Sequence, residues 1–235
     1  MVKFKLQHAR DLDLSPLDRA LNVRRERKHL DSVVQPVVTA ACGAWLTLAH
    51  RIQVKGMAHL PKSPPYVMVA NHTSHLDTPA MRHALPADAR RRAFTLAAHD
   101  TFFKSYVHAA AATTLLNALP VRRGRADPHA LQLLRQRIIE DELVLVLYPE
   151  GTRNKGERIK PFLPGIGMLV AGLDVPVMPC RLRGCERALP KGRWCPRPAR
   201  ISLVIGEPVA FERRPQGKDT WRAIARELHD AVCRL

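Results

Sequence analysis

The sequence predicts an α/β domain in which helices cover both sides of a β-sheet. Three observations carry that expectation. From residue 51 onward, short apolar runs alternate with stretches of helical pattern. The clearest run, Tyr66-Val67-Met68-Val69-Ala70, is β-branched in part and follows the breaker pair Pro64-Pro65. At the other end, Trp221, Ile224, Ala225, Leu228, Ala231 and Val232 recur at i, i+3, i+4 and i+7, the stripe of an amphipathic helix. At 235 residues the chain is long enough for one sizeable core with a short appendage. Strands are expected at 52–54, 66–70, 93–96, 143–148, 175–182 and 201–205, and helices near 75–85, 101–118, 128–140 and 218–233. There is no internal repeat and no low-complexity tract.

Residues 1–50 stand apart from the domain expected at 51–235. The cationic stretch Arg24, Arg25, Arg27, Lys28 leads into a largely apolar one, Val33 to Leu48, interrupted by Gln35, Pro36, Thr39 and Gly43. That is shorter and more broken than the roughly 20 apolar residues a membrane span needs. A helix lying in a membrane interface, with Trp45 and the upstream arginines at headgroup level, fits better than a plain core helix. Met1 to Asp13 is mixed and charged, without the apolar region of a secretory signal.

The net charge of +17 implies an anionic partner. With aromatics at 5% and the basic residues scattered in small groups, a membrane surface or acidic substrates fit better than nucleic acid. Five cysteines, odd in number and without a C-x-x-C pair, speak against a disulfide framework or a zinc site.

The chemistry concentrates at two strand ends. Asn71-His72-Thr73-Ser74-His75-Leu76-Asp77 follows the 66–70 run, so a His at a sheet edge has a carboxylate five positions on, where a helix begins. Asp77 can reach back and fix the tautomer of His72, the minimum equipment for taking a proton from a hydroxyl at neutral pH. The second run ends in Pro149-Glu150-Gly151-Thr152-Arg153. There Gly151 permits close backbone approach, and Arg153 can grip a phosphate or carboxylate with two prongs.

Together, Asn71-His72-x-x-x-x-Asp77 and Pro149-Glu150-Gly151-Thr152-Arg153 resemble the glycerolipid acyltransferase family that includes the 1-acylglycerol-3-phosphate O-acyltransferases. Pro120-Val121-Arg122-Arg123 is similar to that family's intermediate block, and Val175-Pro176-Val177-Met178-Pro179 to its late proline-bracketed strand. Four ordered blocks, covering about residues 50 to 210, are far more specific than an isolated His-x-x-x-x-Asp. The resemblance implies a mixed β-sheet flanked by helices on both faces, of the glycerol-3-phosphate acyltransferase type, with 51–235 as the catalytic domain. It implies His72 as general base on an acceptor hydroxyl that attacks the thioester of acyl-CoA or acyl-carrier protein, with Asp77 orienting it. Arg123, Glu150, Gly151, Thr152 and Arg153 would form the acceptor site. No metal and no cofactor beyond the acyl donor is implied, and the expected location is the cytoplasmic face of a membrane.

Two departures bear on the acceptor. Phosphate-specific members resembling this chain carry Lys where Ala98 and Leu163 stand here. Lysophosphatidic acid is the acceptor implied, and another lysolipid or hydroxylated lipid is the alternative. His72 and His75 as metal ligands do not match the metallo-hydrolase run His-x-His-x-Asp-His. A non-enzymatic basic adaptor explains the charge but not the order of His72, Asp77, Glu150 and Arg153 at strand ends.

Overall fold

A computed structural model describes residues 29–98, 117–121, 128–154, 158–193 and 195–235. Seven strands form one sheet: β1 (Gln53–Lys55), β2 (Tyr66–Ala70), β3 (Ala93–Ala98), β4 (Ala118–Val121), β5 (Val144–Leu147), β6 (Val177–Arg183) and β7 (Ser202–Ile205). Their order is β1-β7-β6-β2-β5-β3-β4. The block β6-β2-β5-β3-β4 is parallel, whereas β7 pairs antiparallel with β6 and carries β1 parallel to itself. The sheet is therefore mixed, as expected, with β2 near its centre.

Strand β2 shows why the chain folds in layers. All five of its residues are buried, and they alternate between two apolar clusters. Val67 and Val69 face one cluster, beneath α4 (Pro128–Glu140), α5 (Gly165–Val170) and α7 (Lys218–Arg234). Tyr66, Met68 and Ala70 face the other, covered by α1 (His29–His50), α2 (Asp77–His83), α3 (Ala87–Arg91) and α6 (Cys185–Ala188). A strand covered on both sides has no polar alternation, and each large side chain buried contributes about 1.5–3 kcal/mol.

On the first face the helices approach closely. A Cβ added at Gly167 in α5 would lie 2.2 Å from the backbone oxygen of Trp221 and 2.5 Å from its Cα. Only hydrogen fits between α5 and α7 there.

The N-terminal helix α1 extends past the expected apolar segment at both ends. It buries Leu46 while leaving Val37 and Leu48 66% and 81% exposed. No helix among the described residues is long and apolar enough to cross a membrane. Residues 101–116 of the helix expected at 101–118 lie outside the described residues, as do the cations Arg24 to Lys28. At the end of that segment the expectation fails: Ala118 opens β4, because Thr95 to Ala98 on β3 supply the ladder that pairs 118–121.

Candidate active site

His72 follows β2 and Glu150 follows β5, so the two motifs meet at the carboxyl ends of neighbouring parallel strands, where open α/β sheets form their ligand crevices. His72 Nδ1 lies 2.9 Å from Asp77 Oδ2. The same oxygen accepts the backbone N–H of Thr73 at 2.6 Å and of Ser74 at 2.8 Å. Asp77 is fully buried at the start of α2. A buried carboxylate oxygen holding two backbone donors is an acceptor, so Nδ1 of His72 must carry the hydrogen. The basic lone pair then sits on Nε2, for which the described residues offer no hydrogen-bond partner, on a side chain 21% exposed.

Three residues without an assigned role in the sequence support this pair. The ring of Tyr148 stacks on His72, with centroids 4.2 Å apart and planes within 16°. Its hydroxyl bonds Thr78 Oγ1 at 3.1 Å. Burial, and then the Asp77 charge, push this phenol well above its ordinary pKa, so it remains an O–H donor. Asn71 bonds β6 twice, donating to Leu182 O at 2.9 Å and accepting from Leu182 N at 2.8 Å. Burial first, and then the Asp77 charge, push the Cys185 thiol of α6 well above its ordinary pKa, so it stays protonated beside Asp77. Asn71 stands in the His-Asp block itself, and Tyr148 is an aromatic with a polar tip at the last position of an apolar run, whereas Cys185 carries no such signal.

Sequence reasoning places Glu150 among acceptor contacts. In the fold its two carboxylate oxygens take backbone amides, His72 N at 2.8 Å and Lys160 N at 3.0 Å. Burial pushes its carboxyl above the usual carboxylate range, and the two amides pull the other way. The stitching continues through Asn154 N, which donates to His72 O at 2.7 Å, and Leu163 N, which donates to Pro149 O at 2.9 Å. Gly151 is exposed at φ +70°, where a Cβ would meet Leu163 Cδ1 at 2.7 Å. Thr152 is exposed and Arg153 half-buried on the same turn. Arg123 lies outside the described residues. Ser74 is occupied structurally, donating through Oγ to Leu189 O at 2.8 Å and accepting from Leu76 N. Among the described residues no three potential metal ligands come together.

Arg153 also acts on His75. Desolvation first, then the Arg153 and His72 charges, lower the His75 imidazole to about 4. The unfolded chain holds that proton from about pH 6.5 downward, so stability contributed by His75 is present above 6.5 and lost as pH falls towards 4. Replacing His75 by Gln should flatten the acid side of a stability profile followed by thermal unfolding. The change should be modest, because the side chain is only partly withdrawn from solvent and its charges are screened. An unchanged slope between pH 6.5 and 4 would contradict this.

The chain is similar to known proteins in both sequence and fold. A family model described as Acyltransferase matches residues 51–183. The human 1-acyl-sn-glycerol-3-phosphate acyltransferase alpha is 30% identical over 131 residues, 55% of this chain and 44% of that protein. The 1-acyl-sn-glycerol-3-phosphate acyltransferase of Haemophilus influenzae is 29% identical over 112 residues, 47% of this chain and 45% of that one. The chain thus spans about half the length of the curated relatives it matches. Among solved structures, the 1-acyl-sn-glycerophosphate acyltransferase of Thermotoga maritima superposes with a TM-score of 0.63 at 24% identity. The match covers 93% of this chain and 86% of that one, a likeness of fold.

Proposed function

The chain belongs to the acyltransferase family, and from that premise we propose that it moves a fatty acyl group from an acyl thioester to a hydroxyl of a lysolipid. The acceptor proposed is 1-acylglycerol-3-phosphate, and the donor is acyl-CoA or acyl-carrier protein. What supports the reading most is the state of His72: Nδ1 is committed to a buried carboxylate, and Nε2 has no hydrogen-bond partner among the described residues, on a side chain 21% exposed. As the acceptor oxygen bonds to the thioester carbon, its proton passes to Nε2, and Asp77 stabilises the imidazolium that results. Collapse of the tetrahedral adduct breaks the carbon–sulfur bond, and the imidazolium returns the proton to the departing thiolate. The acceptor alcohol is the nucleophile, so the protein needs none.

Arg153, with Arg123, would hold the anionic headgroup as charge-assisted, two-pronged donors. Gly151 and Thr152 would shape the turn beside it, and Glu150 holds that turn to the base. Ala98 and Leu163, where cations are expected for a phosphate acceptor, favour one second reading, an acceptor with a less charged headgroup. The work would take place at the cytoplasmic face of a membrane. Exposed Val37, Trp45 and Leu48 on α1 and the basic residues upstream support this placement.

A mass-spectrometric screen of lysolipid acceptors, run once with acyl-CoA and once with acyl-carrier protein, tests the proposal. Acyl transfer to lysophosphatidic acid with either donor is expected. Transfer to no lysolipid with either donor would defeat it.

A further inference from the structure

The segment between α6 and β7 is not used by the machinery described above. It carries Lys191, Arg193, Arg197 and Arg200, all exposed, and Arg187 just before them. The nearby acid, Glu186, turns back to Gly184 N and lies 3.5 Å from Arg187. Among the described residues none of the other four has a carboxylate at ion-pair distance. Like charges displayed together repel, and nothing in the fold is stabilised by them.

The loop is nevertheless held in shape. Arg197 N donates to Ala188 O at 2.7 Å and closes it, and Arg193 N donates to Pro190 O at 3.1 Å within it. Pro190, Pro196 and Pro198 restrict its backbone, and Gly192 turns it at φ +94°. Between them Gly192, Arg193, Cys195, Pro196 and Arg197 line an open cleft of about 500 Å³. The loop is also fastened to the catalytic turn, through Leu189 O, which accepts from Ser74 Oγ at 2.8 Å.

Its side of the sheet matters. The order β6-β2-β5-β3-β4 puts the Glu150–Arg153 turn, after β5, on one flank of β2, and this loop, after β6, on the other. With His72 between them, one flank can hold the acceptor while the other holds the donor.

We propose that the cleft beside Arg193 and Arg197 is the site for the phosphate groups of coenzyme A, which places the acyl donor on the β6 flank of His72. The inference rests on the acyl-transfer reading. The cleft lies within the roughly 300–1,000 Å³ range of small-ligand sites. A carrier protein would instead need a complementary face of about 800 Å². Guanidinium groups match phosphate oxygens, and the backbone bonds and prolines of the loop reduce the freedom lost on binding.

The test is a double charge reversal, Arg193→Glu with Arg197→Glu, against a control of equal charge, Arg213→Glu with Lys218→Glu, both exposed and remote in sequence. Binding of free coenzyme A is measured by calorimetry, which needs no turnover. KM for acyl-CoA and for the lysolipid are measured separately, and thermal unfolding checks that each variant is folded. Loss of two charge-assisted contacts should weaken coenzyme A binding and raise the acyl-CoA KM roughly ten-fold or more. The lysolipid KM should stay as in the wild type, and the control should change neither value appreciably. Equal weakening by the control would assign the effect to overall charge and overturn the proposal. So would wild-type affinity for coenzyme A in the loop variant, or a variant that loses binding to anionic vesicles or to acyl-carrier protein instead. If the wild type binds coenzyme A through this loop but acylates no lysolipid, the acyl-transfer reading fails and the site stands. If acyl transfer proceeds with an unchanged donor KM in the loop variant, the site fails alone.

Discussion

His72→Ala should lower acyl transfer by about a hundred- to ten-thousand-fold, the range for losing a positioned general base. The protein should stay folded. The ring is 21% exposed, and its removal costs chiefly the stacking on Tyr148, about 1 kcal/mol. Asp77→Asn separates positioning from charge. Its amide oxygen can still accept the N–H groups of Thr73 and Ser74, so the turn should hold. It can no longer stabilise an imidazolium, and the rate should fall by a factor approaching that of His72→Ala. Asp77→Ala differs, because it strips the same two buried amides of their acceptor at about 1–3 kcal/mol for each group. Steady-state rates and melting curves on the three variants check the set. A His72→Ala enzyme within a few-fold of wild type would remove His72 from the chemistry.

Gly167→Ala should be among the costliest single methyl groups to add in the domain. The new carbon would sit 2.2 Å from the backbone oxygen of Trp221 and 2.7 Å from its carbonyl carbon. Neither is the end of a flexible side chain, so α5 and α7 must part. Overpacking of this kind costs about 1–3 kcal/mol, and a clash with three backbone atoms of Trp221 puts this case near the upper end. Denaturant titration measures the loss, and a midpoint unchanged from wild type would refute it. Activity should drop as well. α5 begins directly after Leu163 and Pro164, and Leu163 N is bonded to Pro149 O beside the Glu150 turn. A shift of α5 is therefore passed to the loop that pins His72.

Much of this was legible in the sequence because its causes are local. Strand β2 matches its expected bounds, since Pro64-Pro65 and Asn71 punctuate a run of five apolar residues. α7 shows its stripe over seventeen residues, enough for the period to be plain. α5 and α6, at six and four residues, are too short to show one. The order of strands, and the reversal of β7 against β6, depend on pairings distant in sequence. Ala118 reads equally well as the end of an apolar helix, until β3 claims it. The site divides the same way. His72 and Asp77 lie five residues apart, and their meeting is written in one turn. Glu150 meets His72 N across 78 residues, and Tyr148 reaches the imidazole only because β5 lies beside β2 in the observed register.

The paired bond between Asn71 and Leu182 bears on how this catalyst could be altered. It prolongs the β2–β6 ladder one residue beyond the last backbone pairing, with a side-chain amide standing in for a peptide. The base is thereby tied to a strand that takes no part in the Glu150–Arg153 turn. Mutagenesis aimed at a new acceptor can accordingly be spent on Thr152, Arg153 and the residues that follow, leaving the imidazole in register. Position 71 should be left out of any such library. Asp in its place would offer no donor to Leu182 O, and Leu neither donor nor acceptor.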